Sequence, residues 1–200
     1  MKKIPLYLLC MCAAASAAPY YLPTPPGGGL TPYDWQPTHT LEGMYAIGTG
    51  NTPDTGGFRC GTQLYNTGAG DIRHEFGISI APQWGSGHRN RDDYRARLNL
   101  FLMPATLGYT LNINLVDSLF LTLGGRGGWA WGHYRERSDV HRESGSFNGF
   151  SFSAGGGLKL RCSERLYVQA GYEFGRTYSN TRHDDTWGQH IISAGFNWRF

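Results

Sequence analysis

From Thr40 to the end of the chain, large apolar side chains recur at every second position. Phe58, Cys60, Thr62 and Leu64 alternate with Arg59 and Gln63, and Ile72, His74, Phe76, Ile78 and Ile80 alternate with Arg73, Glu75 and Ser79. A period of two places alternate side chains on one face of a strand. The same pattern predicts strands over 41–47, 119–131, 150–160, 166–174 and 192–200. One run is longer. Tyr94, Ala96, Leu98, Leu100 and Leu102 carry the apolar face before Pro104, and Leu107, Tyr109, Leu111 and Ile113 carry it afterwards. A proline that deletes a ladder hydrogen bond suits a bulge, so 93–114 is predicted to be one long strand kinked at Pro104. Eight strands result, with no helix.

The connections alternate in length. NTGAGD, NLVDS and CSER are short, whereas GNTPDTGG, QWGSGHRNRDD, HYRERSDVHRESGS and TYSNTRHDDTW are longer and polar. That alternation fits a membrane barrel with tight turns on one side and larger loops on the other. No apolar run after the first residues is long enough for a spanning helix, so a membrane protein with this sequence must be a closed barrel. The expected fold is all-β, an eight-stranded antiparallel up-and-down transmembrane β-barrel over 40–200 with both termini in the periplasm. A soluble secreted barrel is the rival fold.

The first residues, MKKIPLYLLCMCAAASA, have two lysines, an apolar core and small residues at Ala15 and Ala17. This is the layout of a secretory signal peptide, expected over 1–17. Neither Cys10 nor Cys12 follows the small residues of a lipidation site, and the apolar run is too short for an anchor. Residues 18–39, with six prolines and Gly27, Gly28 and Gly29, read as a periplasmic linker. Loss of Lys2 and Lys3 with the leader takes 18 basic residues to 16 against 15 acidic ones, a net charge of +1. A nucleic-acid partner gains no support from that balance. Cys60 and Cys162 remain, without CxxC or zinc spacing, and are expected at opposite ends of the barrel as free thiols. No metal or cofactor is expected.

The chain closes on SAGFNWRF. Phe196, Trp198 and Phe200 share one face, which water would leave uncovered and lipid would cover. This ending, with the strand count, resembles the small outer-membrane barrels of the OmpA and OmpX type. The resemblance covers roughly 40–200 and implies that Ser193, Gly195, Trp198 and Phe200 form the C-terminal signal read by the barrel-assembly machinery. It also implies the outer membrane of a Gram-negative cell, without the peptidoglycan-binding domain of full-length OmpA.

An eight-stranded barrel has room inside for little more than its own side chains. Parity places Glu42, Arg59, Arg73, Glu75, Arg97, Arg126, Lys159 and Glu173 in the interior, with Gln63 and Gln169. Buried charges need partners, so a plug of ion pairs is expected. The excess of bases keeps a narrow anion-selective pore as the alternative. A lipid-modifying enzyme is a further alternative, but His190 and Ser193 are three residues apart and fall on opposite faces of a strand. His133, His141 and His183, the last beside Asp184 and Asp185, read as solvated loop residues. The expected role is a structural or interaction protein at the cell surface. Arg135, Arg137 and Arg142, in a mixed-charge loop, are candidates for contact with lipopolysaccharide phosphates or an unidentified extracellular ligand.

Overall fold

In the computed structural model the described residues are 38–69, 71–91, 94–116, 118–139, 142–163, 165–180 and 186–199. The leader at 1–17 and all but two residues of the 18–39 linker lie outside them. Those two, Thr38 and His39, already open the first strand. The strand segments are β1 (Thr38–Thr49), β2 (Thr55–Ala69), β3 (Ile72–Ile80), β4 (Gln83–Arg91), β5 (Tyr94–Val116), β6 (Leu119–Arg137), β7 (Arg142–Arg161), β8 (Leu166–Ser179) and β9 (Thr186–Arg199). Every pairing is antiparallel, and β1 closes the sheet against β9 from Thr38↔Arg199 to Thr49↔Gly188.

β3 and β4 together make one barrel strand. Both lie between β2 and β5 in a single register, with Ile80 opposite Ala105 and Gln83 opposite Leu102. The gap falls at Ala81 and Pro82, because Pro82 has no N–H to give to a ladder. The backbone still bonds across it: Ala81 N donates to Pro104 O at 3.0 Å, and Phe58 N donates to Pro82 O at 3.2 Å. The ring therefore has eight strands.

The bulge predicted at Pro104 is absent. β5 passes Pro104 opposite Ala130 with no change of register. The register shifts lie between Gln63 and Tyr65 in β2 and between Asn114 and Val116 in β5. What reverses near Pro104 is the polarity of the two faces. Before it, Ala96, Leu98, Leu100 and Leu102 are buried inside, while Arg95, Arg97 and Asn99 are exposed outside. After it, Leu107 and Tyr109 are exposed outside and Asn112 is buried inside. The side chains keep their phase, and only the surroundings change. Leu98, Leu100 and Leu102 pack with Ala130, Tyr134, Phe147 and Trp187 in a core across the end of the barrel far from the termini. That distal end is built like a water-soluble barrel, apolar inside and polar outside.

The same core explains why two predicted loops are strand. Most of QWGSGHRNRDD is β4, and HYRERSDVHRESGS is drawn into β6 and β7. The distal connections contract to 50–54, 92–93, 138–141 and 180–185.

Below the distal end, the outer surface is apolar. Leu107, Leu123, Trp129, Trp131, Phe150, Leu158, Ile192 and Phe196 are all exposed. On β6, the ten steps from Leu121 to Trp131 cover about 33 Å of strand, or about 25 Å along the axis at a tilt of about 40°. That is the height of a lipid-facing band. No helix among the described residues is long and apolar enough to cross a membrane. Cys60 and Cys162 are free thiols.

Candidate functional site

The interior holds two charged clusters. Arg59, buried on β2, donates from Nη1 to Glu42 Oε2 at 2.8 Å and to Glu173 Oε1 at 2.8 Å. Its Nη2 donates to Glu173 Oε2 at 3.0 Å. Arg126 on β6 pairs with the same carboxylate, and Ser153 Oγ donates to it at 2.8 Å. Gln169 donates to Glu42 and accepts from Asn197. Five strands, β1, β2, β6, β7 and β8, are thus tied through one guanidinium and its carboxylates. Bidentate, charge-assisted bonds of this kind are the strong class.

The second cluster is nearer the termini. Lys159 Nζ donates to the two oxygens of Glu75 at 2.9 and 3.1 Å and lies 5.2 Å from the centre of the Tyr167 ring. Arg73, half-buried, places its guanidinium 5.8 Å from the centre of the Phe120 ring. A cavity of about 110 Å³ separates the clusters, lined by Glu42, Glu75, Arg126, Lys159 and Glu173. At about 30 Å³ per water it has room for roughly three or four.

Seven of the eight predicted interior charges therefore lie inside. The exception is Arg97. It is exposed on the outer face of β5, because at that height the apolar side chains turn inward and leave the polar face to water. Glu136, read from sequence as part of a loop, is the reverse case: it is 1% exposed inside the distal barrel. Above the ion pairs, Gln189 Nε2 donates to Thr55 Oγ1 at 2.9 Å, and Thr55 donates to Gln83 Oε1 at 3.0 Å. The sequence pattern hides this uncharged layer, since Gln83 opens QWGSGHRNRDD, a stretch with the polarity of a loop.

The terminal strand forms the seam. Ser193 is buried inside, Phe196 is exposed to the outside and Trp198 is half-exposed on the same face; Phe200 lies outside the described residues. Gly195 pairs with Glu42 across the closure. A Cβ there would stand 2.0 Å from the Leu41 carbonyl oxygen and 2.5 Å from the Glu42 Cα, closer than atoms can approach. A residue expected as part of an assembly signal thus has a packing role of its own. Gly195→Ala is expected to reduce the heat-resistant folded form severely, read from the mobility of unboiled samples; a normal yield would show that the seam can relax.

His190 and Ser193 do stand on opposite faces. His190 Nδ1 is 2.5 Å from Tyr172 Oη on the outer surface, while Ser193 is buried inside. Among the described residues no group of three His, Cys, Asp or Glu side chains is placed to hold a metal. His141, His183, Asp184 and Asp185 lie outside the described residues.

Arg135, Arg137 and Arg142 are exposed, but on paired strands rather than in a mobile loop. Arg135 and Arg137 line an outer concavity of about 560 Å³ with His88, Arg95, Arg97 and Asp139.

A family model described as the outer membrane protein beta-barrel domain matches residues 6–200. The chain belongs to this family. Membership in the outer membrane β-barrel family places it in the bacterial outer membrane. The chain is similar to Neisserial surface protein A, at 12% identity and a TM-score of 0.53, covering 82% of this chain and 96% of that one. It is also similar to Ail, the attachment invasion locus protein of Yersinia pestis, at 16% identity and a TM-score of 0.45, covering 82% and 97%. The N-terminal β-barrel domain of Pseudomonas aeruginosa OprF gives 12% identity and a TM-score of 0.45, again covering 82% and 97%. These likenesses concern the fold alone. Comparison with curated proteins gives no match.

Proposed function

We propose that this outer-membrane barrel is a non-conducting, non-enzymatic surface protein that meets its surroundings through the distal end, which faces outward from the cell. The observation that carries this is the order of layers inside. Ion pairs fill the middle, hydrogen-bonded amides and hydroxyls lie above them, and the apolar core of Leu98, Leu100, Leu102, Tyr134, Phe147 and Trp187 covers the distal end. An ion entering there would have to shed its water against apolar side chains, which is costly.

The anion-pore alternative rested on an excess of interior bases. With Arg97 on the outer face, the described middle of the barrel holds Arg59, Arg73, Arg126 and Lys159 with Glu42, Glu75 and Glu173, while buried Glu136 and the inward-facing Glu143 opposite it add acids toward the distal end. The internal lattice then has a structural role, holding the strands in register. Export by a leader at 1–17 and recognition of the last strand by the barrel-assembly machinery belong to the same proposal.

Planar-bilayer recording tests it. The purified protein is expected to give no discrete conductance steps, whereas Leu98→Asp and Trp187→Ala, which open the distal core, are expected to give flickering openings. Steady anion-selective steps from the unaltered protein would overturn the non-conducting reading.

A further inference from the structure

A row of basic residues crosses four neighbouring strands on the outside of the distal end. His88 of β4 lies directly opposite Arg97 of β5, Arg97 opposite Arg137 of β6, and Arg137 opposite Arg142 of β7. Arg135, opposite Asn99, stands one tier lower. All are exposed. Like charges directly opposite each other destabilise a strand pair, yet this row has them side by side. Arg95, Arg97, Arg135 and Arg137 make no ion pair among the described residues, and Asp139 is the one carboxylate among the described residues lining their concavity. An anion lying over the row would turn repulsion into attraction.

The height and direction of these side chains point to the source of that anion. Along the outer face of β6, Trp129, Trp131, His133, Arg135 and Arg137 follow each other at alternate positions. With Trp84 on β4, Phe101 on β5 and Phe150 on β7, the two tryptophans make an aromatic girdle of the kind found at the membrane–water boundary. From Trp131 to Arg135 is about 13 Å of strand, or about 10 Å along the barrel axis. The arginines therefore stand in the head-group layer, and they project sideways rather than up toward the cell's surroundings. A guanidinium meets phosphate oxygens in a fork, and keeps its charge at any physiological pH.

We infer that the wall built by Arg95, Arg97, Arg135, Arg137 and Arg142 holds phosphate groups of the glycolipids in the leaflet around the barrel. This rests on the outward orientation of the distal end proposed above. It replaces contact through a mobile loop with a rigid lateral surface whose backbone is fixed by strand pairing, so little order has to be imposed on binding.

The full-length protein, reconstituted in phosphatidylcholine vesicles with and without added lipopolysaccharide, tests the assignment. Native mass spectrometry after detergent extraction is expected to show lipopolysaccharide retained in preference to phosphatidylcholine. Replacement of Arg95, Arg97, Arg135 and Arg137 by Gln is expected to reduce that retention about tenfold, the product of several exposed charge contacts each worth a factor of about two, and high salt is expected to do the same. The thermal unfolding temperature adds a change of sign. The variant should unfold at a higher temperature than the parent in phosphatidylcholine alone, where the row is uncompensated, and lose that advantage when lipopolysaccharide is present. Unboiled mobility checks that the variant folds, and the pair Arg97→Gln with Arg137→Gln serves if it does not. Equal lipopolysaccharide retention by folded variant and parent would overturn the inference. So would capture of soluble dextran sulfate in phosphatidylcholine vesicles without retention of lipopolysaccharide, which would assign the wall to a soluble polyanion. The conductance test is independent of both outcomes, so failure of the glycolipid assignment leaves the non-conducting barrel standing.

Discussion

Replacing Arg59 by Met is expected to lower the unfolding free energy by about 3–5 kcal/mol, the usual cost of removing one partner from a buried ion pair. Arg59 has a side chain 5% exposed and joins Glu42 of β1 to Glu173 of β8. Without it, Glu173 keeps Arg126 and Ser153, but Glu42 is left with Gln169 alone among the described residues. The penalty is therefore chiefly that of an uncompensated carboxylate. Adding Glu42→Gln to Arg59→Met should recover about 1 kcal/mol or more, because it removes the stranded charge and leaves the rest of the lattice in place. Urea unfolding in lipid vesicles measures both. A change of less than about 1 kcal/mol in the single variant would show that water inside the barrel already solvates these groups, and that the lattice does not hold the strands.

Leu98→Ala is expected to cost about 2–5 kcal/mol by the same measurement, while its neighbour Arg97→Leu should change stability by about 0.5 kcal/mol or less. The two residues are adjacent on β5, yet Leu98 is 0% exposed and Arg97 lies on the outer surface. Had the apolar face at this height met lipid, Leu98→Ala would remove little packing and cost correspondingly little. Ten residues further along, the relation inverts. Leu107, 68% exposed, faces the lipid band, so Leu107→Arg should cost about 2–4 kcal/mol near mid-membrane. Equal costs for Leu98→Ala and Arg97→Leu would place the membrane boundary nearer the distal turns than the fold indicates.

Much of the barrel was legible in the order of residues, because a strand's two faces alternate without reference to anything else in the molecule. Eight passes, their antiparallel succession, the lipid-facing aromatic ending and seven of the interior charges all follow from parity. The positions of Glu42, Arg59, Glu75, Arg126, Lys159 and Glu173 inside required only that each be on the side away from a large apolar neighbour. Their partners were a different matter. Arg59 meets Glu173 across 114 positions, and parity carries no information about which side chains face each other over the lumen.

The tertiary structure also decided where one solvent ends and another begins. Parity states that Leu98 and Arg97 point in opposite directions, and it leaves open which direction is inward. In the lipid band the apolar face turns outward, and above it the apolar face turns inward, because burial from water is favourable wherever water is the neighbour. A rule suited to lipid therefore misplaced Arg97, turned a change of surroundings into a bulge at Pro104, and read the paired strands around Arg135 and Arg142 as loop. The alternation of side chains was written in the sequence. Which face met lipid, which met water and which met the opposite wall depended on how far each strand rises above the membrane, and that height is set by the closed ring as a whole.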